Sequence, residues 1–203
     1  MAKKPSPISR ITSLALLDNK RPSQGADPQQ KSSWQWYRDK VGELFGKSKV
    51  GIKEFGEMEG PATRKSGKMY MFAYSPKGKN TLPYYDRLPL VITLGWDRKY
   101  IHGLNLHYLP HVARQQLLIR LLDITNNDRY DETTRFKVTY DILIRGRRFK
   151  WFKPCYKRYL RKRVVSNMLF INPSDWTTAI YLPTESFVGA SDTKVWVDSI
   201  NKI

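Results

Sequence analysis

Apolar positions repeat with a period of two over residues 67–109 and with helical spacing on either side. In GKMYMFAYSP, Met69, Met71 and Ala73 alternate with Tyr70, Phe72 and Tyr74, which predicts a strand with two distinct faces. Pro76, Gly78 and Asn80 mark a turn. LPLVITLGW predicts a second strand, a turn follows around Asp97, and YIHGLNLHYL predicts a third. Strands this short and closely spaced predict an antiparallel meander or partial barrel.

Helical spacing brackets that sheet. Apolar residues at 34, 37, 41, 44 and 45 predict a helix over Trp34–Phe45, with Ser33 as its N-cap. Residues 46–66 are rich in Gly and charge and read as a linker. Pro110 suits the first turn of a helix over His111–Asp123, striped by Val112, Ala113, Leu117, Leu118, Leu121 and Leu122. Asp131 caps a segment through Ile144 whose Phe136, Tyr140 and Leu143 share a helical face, although strand spacing fits part of it too. Pro154 opens a further predicted helix to about Met168, with Tyr156, Leu160 and Val164 inward and Lys157, Arg158, Arg161 and Lys162 outward. A last helix is predicted near Asp192–Ile200, capped by Ser191.

The fold class is therefore α+β: a small antiparallel sheet or partial barrel followed by packed helices. Residues 1–33 hold Pro5, Pro7, Pro22 and Pro28 among Ser, Gln, Gly and Lys and bury little, so they read as a flexible basic arm. The apolar patch Ile11–Leu17 suits a helical turn docked on a neighbour. The expected organisation is an arm (1–33), a helix and linker (34–66) and an α+β domain (67–203).

Charge sharpens the picture. The 203 residues carry 36 basic and 18 acidic side chains, a net charge of +18, and ten of the basic ones fall in RGRRFKWFKPCYKRYLRKR, residues 145–163, with no acid among them. Residues 164–203 carry 2 basic and 4 acidic groups, so the C-terminal part is a different surface. A polyanion needs cations for its phosphates and flat rings for any exposed bases. Arg145, Arg147, Arg148, Lys150, Lys153, Lys157, Arg158, Arg161, Lys162 and Arg163, with Trp151 among the interleaved rings, are the expected nucleic-acid-binding residues. The competing reading is a solvated basic face whose rings pack inward. Tyr84 and Tyr85 in LPYYDRLPL, and Trp176 and Trp196 in the acidic tail, are the expected partner-binding residues, against the alternative that these rings serve the chain's own core.

Other chemistry is thinly signalled. A single cysteine, Cys155, excludes an internal disulfide and suits a reducing compartment. No run approaches the length of a membrane span, and the apolar stretch ITSLALL is cut short by Asp18, Asn19, Lys20 and Arg21, unlike a signal peptide. His102, His107 and His111 lie close in sequence but lack a complementary ligand set, so no metal or other cofactor is expected. Asp86, followed by Asp97 and Lys99, has the residue types of a metal-dependent nuclease, although Gly95 and Trp96 suggest that Asp97 only makes a turn. With no convincing catalytic set, the chain is expected not to be an enzyme.

The strings KMYMFAYSPK, LPYYDRLPL and HGLNLHYLP, then RYDETTRFKVTYDIL, FKPCYKRYL and YLPTESFVGAS, resemble small basic virion or packaging proteins of large tailed bacteriophages, the DNA end protectors among them. The resemblance covers roughly residues 67–197. It implies a non-enzymatic structural or packaging protein that binds DNA or DNA ends, without sequence preference, near the head–tail connection. It implies other virion proteins as partners in a symmetric assembly, no membrane, and a place in the virion and, during assembly, in the host cytoplasm. The alternatives are a tail or baseplate subunit whose stripe meets acidic protein surfaces and, more weakly, a metal-dependent nuclease.

Overall fold

The structure is a computed structural model and describes residues 28–46, 67–110, 113–117, 119, 121, 141, 150–181 and 184–201. The arm up to residue 27, the linker from 47 to 66 and nearly all of the segment expected over 131–144 lie outside the described residues, as do His111, Arg145, Arg147 and Arg148.

The strands are β1 (Met69–Met71), β2 (Tyr85–Asp86), β3 (Leu90–Trp96), β4 (Tyr100–Asn105), β5 (Tyr156–Leu160), β6 (Leu169–Ile171) and β7 (Phe187–Val188). They form an antiparallel sheet in the order β5-β4-β3-β1-β6 and a separate antiparallel ribbon of β2 with β7. The three strands expected between residues 67 and 109 are β1, β3 and β4.

The alternation in β1 is real, but both faces are covered. Met69, Met71 and Ala73 join one buried cluster, while Tyr70, Phe72 and Tyr74 join another with Val91, Ile101, Tyr159 and Val164. The second cluster exists because the sheet curls. Two strands separate β1 from β5 in the sheet, yet the Tyr159 ring lies 5.2 Å from that of Phe72 and 4.9 Å from that of Tyr74. The Leu160 amide donates to the Tyr74 hydroxyl at 3.3 Å, and Val164 bridges back to Tyr74. The result is a partial barrel. Two local features accommodate the bend. Thr93 faces Gly103 while Gly95 faces His102, so Leu94 is an extra residue that bulges β3. A Cβ on Gly103 would sit 2.3 Å from Val91 Cγ1 and 2.7 Å from the Ile92 carbonyl oxygen, so only glycine lets the strands approach this closely.

Helices cover the outer face. α1 (Pro28–Gly46) buries Tyr37, Val41 and Leu44, the heptad-like spacing expected of it. It starts well before Trp34, because Pro28 is pre-set for a first helical turn; Ser33 therefore lies inside the helix instead of capping it. Helical residues at 113–117, 119 and 121 follow Pro110, whose carbonyl accepts from the Arg114 amide at 3.1 Å, and Leu117 and Leu121 are buried there. α2 (Trp176–Tyr181) and α3 (Asp192–Asn201) complete the layer, and Ser191 Oγ accepts from the Lys194 amide as the expected cap of α3. Each large side chain buried in these clusters contributes roughly 1.5–3 kcal/mol.

The stretch from Pro154 to Met168 corrects the sequence reading. It is not a helix: residues Lys150–Cys155 form 3-10 turns, Tyr156–Leu160 form β5, and Arg161–Arg163 form another 3-10 turn. Tyr156 and Leu160 are four apart, which fits a helix, but they are also two steps of two, which fits a strand. The open edge of β4 decided between them. It pairs with all of β5, from Leu104 opposite Tyr156 to Tyr100 opposite Leu160, satisfying backbone groups and turning Tyr159 into the barrel.

Candidate nucleic-acid interface

Because β5 is a strand, its side chains divide between two faces. Lys157 and Tyr159 point one way, Arg158 to the other. The Lys157 ammonium lies 3.6 Å from the centroid of the Tyr108 ring. Arg158 is exposed and lays its guanidinium 4.4 Å from the centroid of Tyr100 on the neighbouring strand. The following turn carries Arg161, Lys162 and Arg163 in succession.

That turn is tied to the β3–β4 hairpin. The Arg161 amide donates to the Lys99 carbonyl at 3.0 Å, and its guanidinium donates to the Asp97 carbonyl at 3.3 Å. Arg98 and Lys99 are exposed at the tip of the hairpin, so the two cation sets meet at one end of the sheet. Among the described residues, none of Arg158, Arg161, Lys162 or Arg163 makes an ion pair. Lys153 is exposed in the preceding 3-10 stretch, where the backbone of Lys150 and Trp151 also lies.

Asp97 is the acid inside this basic surface, and its oxygens are already engaged. It accepts from the Lys99 amide at 2.7 Å, from the Tyr100 amide at 2.6 Å and from His102 Nε2 at 2.9 Å. Tyr156 in turn meets His102 Nδ1 at 3.0 Å. The His102 hydrogen bond first, then the two amides, hold the Asp97 carboxyl down to about 2. Its role is to shape the hairpin that presents Arg98 and Lys99. The turn expected at Asp97 is present, but sequence reasoning did not count Arg98 and Lys99 among the nucleic-acid-binding cations. The signal was the string DRKY directly after a strand ending in Trp.

Asp86 lies elsewhere. It contacts Asn105 at the far end of β4, whereas Asp97 contacts His102, three residues or about 10 Å back along the strand. The structure does not bring the two carboxylates together, and among the described residues no group of His, Cys, Asp and Glu is arranged to hold a metal ion.

Asp86 instead anchors a sealed polar network. Its carboxylate meets His107 Nδ1 at 2.7 Å, the Asn105 amide at 2.9 Å and the Leu88 amide at 3.1 Å. Burial alone would raise its carboxyl, but the charge and hydrogen bond of His107, with the other donors, outweigh burial and hold it below the usual range. His107 Nε2 faces Thr184 Oγ1 at 3.0 Å. Thr, His and Asp thus stand in the order of a nucleophile, base and orienting acid. His107 is 0% and Thr184 4% exposed, which closes the array to a substrate. Arg114 completes the network: it pairs with Glu185, donates to the Leu109 carbonyl at 2.7 Å and lies against the Trp196 ring, whose indole N–H reaches the His107 carbonyl at 2.9 Å.

The rings expected to bind partners are largely spoken for. Trp176 is buried in the outer core and its indole N–H donates to the Ile171 carbonyl at 3.1 Å, so it packs the interior where a docking surface was expected. Tyr84 stacks near Tyr108 and Phe187, Tyr85 pairs with Val188 across the ribbon, and Trp196 is half-buried over Arg114. The acidic tail was drawn inward because β7 and α3 supply the other half of the ribbon and one wall of the polar network.

A family model described as the phage T4 terminal DNA protecting protein matches residues 14–199. No curated protein and no solved structure matches the chain.

Proposed function

The chain belongs to the family of the phage T4 terminal DNA protecting protein, and from that premise we propose that it grips the end of a linear DNA duplex through the cations of β5, the turn after it and the β3–β4 hairpin. The observation that carries this reading is the convergence of Arg158, Arg161, Lys162 and Arg163 with Arg98 and Lys99 at one end of the sheet, the first four without an acid partner among the described residues. Cations gathered this way suit phosphates, which ask for charge and carry no sequence. The acid-free run that contains Arg158, Arg161, Lys162 and Arg163 also holds Arg145, Arg147, Arg148, Lys150 and Lys153, whose charges would add to the phosphate contacts. On this reading the protein acts as a structural component beside other virion proteins, in the particle and during its assembly, and blocks access to the end by occupying it.

Binding of a linear duplex should weaken steeply as salt rises, with a log–log slope of about −0.9 per phosphate neutralised. Changing Arg158, Arg161, Lys162 and Arg163 together to Gln should flatten that slope by roughly 3–4. It should also remove protection of the duplex from an exonuclease. An unchanged slope and unchanged protection would move the DNA site off this surface.

A further inference from the structure

One aromatic row reaches from the inner core to the rim of the sheet. On the inner face of the curled sheet, Tyr70 of β1 lies between two rings: Trp96 at 6.1 Å, edge-on, and Phe170 of β6 at 5.8 Å. Tyr70 itself is buried, but Phe170 is 39% exposed, at the rim where β6 ends the sheet. The exposed Lys68 holds its ammonium 5.6 Å from the Phe170 centroid. At the other end of the row, Trp96 runs directly into the hairpin that exposes Arg98 and Lys99.

We propose that Phe170, backed by Tyr70 and flanked by Lys68, is a stacking platform for an unpaired base of a single-stranded extension at the DNA end. This rests on the reading of the protein as a DNA-end binder. A flat exposed ring offers a face to any base, with no sequence preference, and the cations at both ends of the row suit the phosphates on either side of that base. The charge is what selects this occupant. Leu82, Ile119 and Val197 are more exposed apolar side chains, but they offer no ring for a base. A duplex interior shows no free base face, so the platform separates an end from the rest of the molecule, which the phosphate-binding cations alone do not.

The test compares a blunt duplex, the same duplex with a short single-stranded extension, and the extension alone. The extended duplex should bind more tightly than the blunt one. Phe170→Ala should erase that preference, a loss of roughly 5- to 100-fold on the extended duplex, the worth of stacking one base. Phe170→Trp should keep it. Phe170→Leu preserves apolar packing without a flat ring, and it decides the matter if the alanine variant folds poorly. A leucine variant that retains the preference would overturn the platform, as would a wild-type protein that binds blunt and extended ends alike. In both of those cases salt-sensitive binding through the basic turn would stand untouched. A protein that binds none of the three DNAs would remove the functional reading itself. If Phe170→Ala left DNA binding intact and weakened a contact with another particle protein, the rim would be a protein-docking surface and the proposal would fall.

Discussion

Arg114 and Arg158 are the same residue type in one small fold, each beside an aromatic ring, but one is sealed inside and the other lies in solvent. Arg114 is 1% exposed, paired with Glu185, bonded to backbone carbonyls and covered by Trp196. Arg158 is exposed on the edge strand, leaning on the Tyr100 ring. Burial pulls the Arg114 guanidinium below its ordinary range, while Glu185 resists that pull. The comparison teaches how a chain of net charge +18 stays folded. Among the described residues it seals a few charges with complementary partners, where they fix the geometry of the polar network, and gathers several others at one end of a sheet, where their mutual repulsion is relieved by water, salt or an anionic ligand.

The sharpest way to break the contrast is inside. Arg114→Met should cost about 3–5 kcal/mol in chemical denaturation, because it leaves Glu185 buried without its cation. Adding Glu185→Leu should restore part of that loss. A double variant as unstable as the single one would mean that the carbonyls, and not the ion pair, set the role of Arg114.

Gly103→Ala tests the curl that lies between the two regions. The added methyl meets Val91 and the Ile92 carbonyl, so it should cost about 1–3 kcal/mol. Gly95→Ala on the neighbouring strand meets nothing within 4 Å and should be near neutral by the same measurement.

The exposed region should answer in the opposite currency. The combined Gln variant of Arg158, Arg161, Lys162 and Arg163 should unfold within about 0.5 kcal/mol per substitution of wild type while losing its DNA binding. A large loss of stability would show that these cations serve the fold after all. Cys155 supplies the control for intactness. Burial pushes its thiol up to about 12, so it should resist thiol reagents in every folded variant and react once the chain unfolds.

The smallest effect belongs to Asp97. Its folded value of about 2 lies below the ordinary 3.8, so the carboxylate stabilises the hairpin above pH 3.8, and that contribution is lost as the pH falls toward 2. Asp97→Asn should therefore be slightly less stable than wild type at neutral pH, with the difference shrinking between about pH 4 and pH 2. A gap that stayed constant through that range would remove the carboxylate's charge from the account.

Much of this was legible in the residues alone. Period-two alternation in β1, the turn-bounded segments that form β3 and β4, the stripe of Tyr37, Val41 and Leu44, and Ser191 before α3 are local patterns, and local steric and hydrogen-bonding preferences are enough to set them. The density of basic residues from Arg145 to Arg163, with no acid inside the run, is likewise a property of composition. What the tertiary structure decided was which of two locally acceptable environments a described residue took. Tyr156 and Leu160 suit a helix or a strand equally, and the open edge of β4 chose the strand. Trp176 suits a surface or a core, and the Ile171 carbonyl chose the core. Asp86 reads as a possible metal ligand until His107, Asn105 and Thr184 arrive from distant parts of the chain to enclose it. Those outcomes depend on which backbone groups and charges would otherwise be left unsatisfied, and that is a property of the assembled neighbours, not of any one segment.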